Sequence, residues 1–314
     1  MSDRPLVSIV TPSYNQAPFL EKTILSVINQ DYSPIEYIVV DGGSTDGSVE
    51  IVRRYANRLA HWVSERDGGQ SEAINKGFAR SCGSILAWLN SDDVYLPGCV
   101  RTVVDAFMER PELAMVYGDV EIIDARGTVM LHPRWDEYDF RRQLLHRINI
   151  PQPGAFVRRS VLDEVGLLRT DLHYAMDFEL WLRIGRRYAV RRIPRTLAQF
   201  RLHDVSKSGS AADRWGTEFI TILDDVFGQS DLPFDVAHLR PQAYAGAYLH
   251  GASCALVVYD MNTTRRGLWH ALQTYPGILA RPDWWSVLAR ALLGRRLNRM
   301  GRLIKARMRR WKSS

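Results

Sequence analysis

The run WLNSDDVYLP, residues 88–97, concentrates the groups in this chain best suited to chemistry. Asp92 and Asp93 stand side by side with the carboxamide of Asn90 two residues ahead. Adjacent oxygen donors of this kind suit magnesium or manganese, hard cations that keep several waters and share substrate phosphates. The same residues also suit a plainer role, in which Asp92 or Asp93 caps a helix starting near Leu96. Three more carboxylates, Asp41, Glu65 and Asp67, follow apolar runs in the same manner.

Those apolar runs are short strands: Leu6–Val10, Ile35–Val40, Ala60–Ser64 and Ile85–Leu89. Between them lie helical patterns. Phe19, Leu20, Thr23, Ile24, Val27 and Ile28 recur at helical spacing, Ser44 or Asp46 caps a second helix, and Ser71 to Arg80 forms a third. Strands alternating with helices predict an α/β fold, a mainly parallel twisted sheet flanked by helices. In such a sheet ligands bind outside the carboxyl ends of the strands. Asp41, Glu65, Asp67, Asp92 and Asp93 all fall on that edge, a convergence that folding alone does not require. Further along, the pattern predicts a helix after Pro97, a strand at Met115–Tyr117, a hairpin pairing Glu121–Asp124 with Thr128–Leu131, and a helix from Glu137 to His146. A strand at Ala155–Val157 and a helix opening at Tyr174 follow, then closing strands at Val190–Ile193 and Leu197–Arg201. From about Ala211 the pattern is helical only, with Val236–Tyr259 and Thr263–Leu272 as an antiparallel pair. Three regions result: an α/β domain over residues 1–209, a C-terminal helical appendage over 210–285, and a basic amphipathic helical tail over 286–314.

The 314 residues are 46% hydrophobic and 24% charged, fractions of an ordinary soluble globular protein, for which disorder is not the default. Cys82, Cys99 and Cys254 are too few and too scattered for a metal or disulfide framework, and fit a reducing compartment. Asp3 and Arg4 lead directly into a strand, so no secretory signal is read there. The net charge of +6 arises in the tail, where ten Lys and Arg stand with no acid. The rest of the chain is therefore net acidic, and no nucleic-acid partner is expected. The charge-free run Pro241–Tyr259 contains Gln242, His250, two glycines and three tyrosines, and reads as a buried helix. In the tail, Leu293, Leu297, Met300, Ile304, Met308 and Trp311 mark one helical face and arginines the other. Such a helix can lie on an anionic membrane surface, dock on its own domain or a partner, or remain solvated. The expected location is cytoplasmic, with peripheral contact at the inner face of the cell membrane.

The ordered set VSIVTPSYNQ (7–16), VVDGGSTDGS (39–48), SERDGGQSEAINKGF (64–78), LNSDD (89–93), YAMDFELWLR (174–183) and FRLH (200–203) resembles the family-2 inverting glycosyltransferases. The resemblance spans about Pro5 to Gly209 and implies a nucleotide-diphospho-sugar transferase (GT-A-like) fold. By that resemblance Thr11, Pro12 and Tyr14 line a nucleotide pocket and Asp41 receives the base and ribose. Asp67, Gln70, Asn75 and Lys76 form the second wall, with Asn90 and Ser91 beside the donor. Asp41 equally suits a turn stabilising Gly42 and Gly43, and Lys76 a solvated helix face. Asp92 matches the family's metal ligand, and His203 a position used by some members to reach metal or diphosphate. The implied cofactor is a divalent cation, Mn or Mg. Asn90 departs from the common Asp-x-Asp-Asp form, and a site with one carboxylate fewer should hold its cation more weakly. Asp93 is then a second ligand or a helix cap.

Asp177 matches the family's catalytic base, which removes the acceptor hydroxyl proton as oxygen attacks the anomeric carbon. Here the usual Glu-Asp pair is Met176-Asp177, and Asp177 also suits the N-cap of its helix. Glu179, Trp181 and Arg201 are candidates for acceptor contact or support. The implied partners are a nucleoside-diphosphate sugar, foremost a UDP- or dTDP-sugar, and a glycan or lipid-linked acceptor, its specificity residing between Asp119 and Gln152. The alternative is a non-catalytic nucleotide-sugar-binding scaffold, kept open by Asn90 and Met176. No G-x-G-x-x-G follows a strand and no P-loop occurs, which disfavours dehydrogenases and excludes P-loop NTPases. A nucleotidyltransferase would need a Gly-rich basic loop where Thr11–Asn15 stand.

Overall fold

The computed structural model describes residues 4–203, 212–230 and 232–292. The chain divides into two compact units, one of residues up to 143 with 148–203, the other of 144–147 with the residues after 203.

The first unit begins β1 (Val7–Ser13), α1 (Ala17–Ile28), β2 (Ile35–Asp41), α2 (Ser48–Arg54), β3 (His61–Ser64), α3 (Gln70–Arg80) and β4 (Ile85–Trp88). It continues β5 (Val94–Tyr95), α4 (Cys99–Glu109), β6 (Leu113–Ile123), β7 (Val129–Leu131), α5 (Phe140–Leu144), β8 (Ala155–Arg158), α6 (Arg159–Val165), α7 (Met176–Gly185) and β9 (Ala189–Arg201). The sheet runs β3-β2-β1-β4-β8-β6-β9-β5, with β7 on β6. β3, β2, β1 and β4 are mutually parallel; β8 is antiparallel to β4 and to β6, and β9 is parallel to β6. The carboxyl end of β9 therefore reaches the same edge as those of β1 to β4. Register makes that edge compact, because Ser13 pairs with Asp41 and Asp41 with Ser64.

Every residue of β1 is buried, as expected for a strand covered by helices on both faces. The core gathers Leu20, Ile24 and Val27 of α1, Val100, Val103, Val104 and Phe107 of α4, and the inner residues of the strands. Their spacings of three and four residues are those of one helical face.

Four expectations change. Asp92 and Asp93 cap no helix, because β5 intervenes and α4 starts at Cys99 after Gly98, whose φ of 79° needs a glycine. Helix α2 takes its N-cap from Gly47 rather than Ser44 or Asp46. The helix drawn from Glu137 to His146 shortens to α5, bounded by the Asp139 carbonyl and by His146 at a left-handed φ of 52°. The two closing strands are one, β9, across Pro194: the register jumps from Gly118–Ile193 to Asp119–Thr196, so a bulge absorbs the residue that lacks an N–H.

The second unit contains α8 (Ala212–Phe227), α9 (Phe234–Ala237), α10 (Arg240–Val257), α11 (Met261–Thr274) and a helix over 282–292, here α12. Asp260 caps α11 by accepting from the Thr263 N–H at 3.0 Å. The buried residues of α10 are mostly Ala and Gly, which allows close helix approach; a Cβ on Gly251 would lie 3.0 Å from the Gly216 Cα. Leu249, Leu256, Leu268, Ile278, Trp284, Val287 and Ala291 form the core. Thus α12 begins before the tail boundary drawn at 286 and packs into this unit. Residues 293–314, which carry most of the tail pattern, lie outside the described residues. Among the described residues no helix is long and apolar enough to cross a membrane.

Candidate active site

At the ends of β1 and β2 the structure builds a fixed wall. Asp41 is fully buried, and its carboxylate accepts from the Gly43 and Ser44 N–H groups and from the Ser44 and Ser64 hydroxyls, at 2.5–3.1 Å. Those bonds are the turn-stabilising role, so Asp41 acts first on its own loop. The loop is laced to β1, with Asn15 and Gln16 N–H donating to the Ser44 and Ser48 hydroxyls and Ala17 N–H to Asp46. Thr11 is buried against the Tyr37 hydroxyl at 2.9 Å, and Pro12 is buried in β1. Tyr14, 63% exposed, is the member of this group that presents a free surface at the edge.

Asp67 faces that wall. An added Cβ on Gly42 would come within 2.9 Å of its Oδ2, so Gly42 makes room for this carboxylate. Asp67 accepts from the Gly69 N–H at 2.9 Å, yet burial pushes its carboxyl above the usual range. Gln70 opens α3 and its Nε2 donates to Asn90 Oδ1 at 2.6 Å. The other two members of this wall have structural partners. Asn75 exchanges both amide bonds with the Leu168 backbone, and Lys76 pairs with Glu65 and Glu72 on the surface.

Beyond β4, Asn90 also donates to Gln152 Oε1 at 3.1 Å and to Asp93 Oδ2 at 3.3 Å. Ser91 is buried. Asp93 is fully buried and accepts from the Arg201 N–H at 2.9 Å, tying the motif to β9. Burial, then the neighbouring Asp92, pushes the Asp93 carboxyl well above the usual range. It is neither a helix cap nor an open ligand. Arg201, 1% exposed, donates to the carbonyls of Asp92, Asp124 and Ala125, so its guanidinium braces backbone instead of facing a phosphate. Asp92 remains open to the edge, its side chain 18% exposed, with His203 Nε2 2.9 Å from Oδ2. The His203 ring rests on Phe19 with centroids 4.5 Å apart. Among the described residues no cluster of three His, Cys, Asp or Glu forms a ready metal cage. One carboxylate and one imidazole fit a hard or borderline cation that takes its other ligands from water and diphosphate.

Helix α7 docks through residues next to Gln70. The Ser71 hydroxyl donates to the Leu172 carbonyl at 3.2 Å and meets Met176 Sδ at 2.7 Å. The N-cap is Ala175, which places Asp177 within the first turn, where its Oδ1 accepts from the Phe178 N–H and the helix dipole favours its charge. Asp177 is half-buried. Glu179 is taken up by a bidentate pair with Arg183 at 2.7 and 2.8 Å. Trp181 is fully buried and stacks on Trp88, centroids 5.4 Å apart. Gln152 and Phe19 escaped sequence reading: a lone amide in a proline-rich loop and a Phe at helical spacing carry no signal of a site.

Residues 8–166 match the family model described as glycosyl transferase family 2. The chain belongs to that family. Asp177 and His203 lie beyond the matched residues. The chain is 31% identical over 190 residues to an uncharacterised glycosyltransferase of Mycobacterium tuberculosis, covering 58% of this chain and 70% of the relative. It is also 31% identical over 193 residues to the O-antigen biosynthesis protein RfbC of Myxococcus xanthus, covering 59% of this chain and 15% of that longer protein. Its fold is similar to S. aureus TarS 1-349 in complex with UDP-GlcNAc (TM-score 0.61, 14% identity, 87% of this chain and 90% of that one). A second similar fold is the mannosyltransferase PcManGT of Pyrobaculum calidifontis in complex with GDP-Man and Mn2+ (TM-score 0.59, 19% identity, 93% and 87%). The chain is therefore a glycosyltransferase with a GT-A-like catalytic unit.

Proposed function

We propose that this glycosyltransferase inverts the anomeric centre in a single displacement assisted by a divalent cation. The observation that carries the reading is the join between α3 and two neighbours: Gln70 holds the Asn90–Asp92 motif while the adjacent Ser71 holds the start of α7, which bears Asp177. A donor-side carboxylate and an acceptor-side carboxylate are thereby fixed to consecutive residues of one helix.

The donor is a nucleoside-diphosphate sugar, a reading supported by the UDP-GlcNAc and GDP-Man held by the two similar folds. Tyr14 and Asp67 flank the nucleoside, with Asp41 and Gly42 fixing the walls between them. Asp92 and His203 would hold the cation, which supplies charge neutralisation for the departing diphosphate. Asp177 takes the proton of an acceptor hydroxyl while the hydroxyl oxygen bonds to the anomeric carbon and the bond to the diphosphate oxygen breaks. The acceptor is a glycan or a lipid-linked glycan. RfbC, an O-antigen biosynthesis protein by name, supports a place in polysaccharide assembly. A cytoplasmic site with the basic tail against the inner membrane face completes the reading, resting on the tail's sequence pattern.

The test is nucleoside diphosphate release from a panel of UDP-, GDP- and dTDP-sugars, with and without manganese. Release from one donor, lost about 10²–10⁴-fold in Asp177→Asn with donor binding retained, is the expected result. Asp92→Ala should weaken both metal and donor. Full activity in Asp177→Asn would remove the base assignment, and no binding across the panel would remove the donor reading.

A further inference from the structure

The carboxamide at position 90, where the common motif has a carboxylate, is dictated by its neighbours. The carbonyl oxygen of Trp88 can only accept, and the group 2.8 Å from it is Gln152 Nε2. That fixes the Gln152 amide, so its Oε1 faces residue 90 and must meet a donor, the Asn90 Nδ2 at 3.1 Å. The Asn90 amide is fixed in turn, and its Oδ1 accepts from Gln70 Nε2 at 2.6 Å. The same Nδ2 stands 3.3 Å from Asp93 Oδ2, itself an acceptor for Asn90. A carboxylate at 90 would set oxygen against oxygen at Gln152, and would place a further acid beside the buried Asp93 carboxyl. Gln152 could not turn over to relieve this, because its oxygen would then face the Trp88 carbonyl. Gln152 is 9% exposed and Asp93 fully buried, so water does not intervene cheaply.

We propose that Gln152 is a positioning residue for glycosyl transfer, acting through Asn90, and that this ladder commits the donor site to an uncharged amide beside Asp92. The inference rests on the proposed transfer reaction at this edge. It turns an apparent departure from the family motif into a requirement of this chain: restoring the acid harms the site.

A double-mutant cycle of Asn90→Asp and Gln152→Met decides it, since methionine keeps the length of glutamine and offers no oxygen to repel. Two readouts are taken, donor turnover in the panel above and urea unfolding of the full chain. Asn90→Asp alone should lower kcat/KM at least tenfold, with tighter manganese demand giving no recovery. In the Gln152→Met background the loss from Asn90→Asp should shrink at least fivefold, the residue being the Asp93 contact. Unfolding should show coupling of the same sign. Asn90→Asp as active as wild type, or an equal penalty in both backgrounds, overturns the proposal. If wild type turns over no donor, the transfer reading fails by itself. The unfolding cycle still decides whether Gln152 dictates the amide, additive stabilities meaning that it does not.

Discussion

The second unit should lose stability in mild acid, through two imidazoles on its interior. His146 and His250 lie 5.5 Å apart, each edge-on to Phe219 at 4.7 and 4.8 Å. Burial, with the Arg281 charge beside it, lowers the His250 pKa to about 4; burial, His250 and Arg281 lower that of His146 well below its ordinary value. Asp283 opposes the shift at His250 but pairs with Arg281 at 2.6 Å. Both rings are thus neutral when folded and gain a proton on unfolding. The unfolded chain binds more protons below about pH 6.5, so stability is complete above that pH and is lost as pH falls towards 4. One such group contributes a slope of up to about 1.4 kcal/mol per pH unit, and two together about 2.7. For His250 alone the loss reaches about 2 kcal/mol by pH 5, an upper bound because the residue is only half-buried. The perturbation is His250→Gln, which removes the titration and keeps a polar side chain of similar length. Urea unfolding at half-unit steps from pH 8 to 4, followed by helical circular dichroism, should give half the wild-type pH slope. Parallel wild-type and variant curves would refute the reasoning.

Gly77→Ala should destabilise the first unit by about 1–3 kcal/mol, because the new Cβ would lie 2.4 Å from Val10 Cγ1, on a buried strand with little room to yield. Adding Val10→Ala should recover part of the loss in a thermal melt; no recovery would show that the contact is not the cause. Gly42→Ala should raise the donor KM about tenfold by displacing the Asp67 carboxylate, whose Oδ2 would stand 2.9 Å from the new methyl. Its melting temperature should stay near that of wild type, since Gly42 lacks a positive φ, and an unchanged KM would detach Asp67 from the donor.

The sheet was legible because its signals are local and repeated. Each of β1 to β4 is an apolar run ending in polar residues, and each following helix shows its buried face at three- and four-residue spacing. What was not legible lies where long-range packing overrides local preference. Pro194 splits β9 in sequence, yet a bulge absorbs it. Val94 and Tyr95 are too few to register as a strand until β9 supplies their partners. Residues 144–147 join the second unit although nothing in their composition separates them from α5.

The candidate site divides the same way. Residue types announced which positions carry polar chemistry, but hydrogen-bond partners decide which of them are spent on the fold. Asn75, Glu179 and Arg201 are each saturated by Leu168, Arg183 and backbone carbonyls respectively. Asp93 is consumed in joining the motif to β9, a role visible only once β9 runs beside it. Tyr14, Asp67, Asp92 and Asp177 are not fully buried, and that reduced set is the one proposed above to meet substrate. Gln152 marks the limit of motif reading. Its role is set by a backbone carbonyl 64 residues earlier, whose single chemical option propagates through the Gln152 amide to that of Asn90, two residues before Asp92.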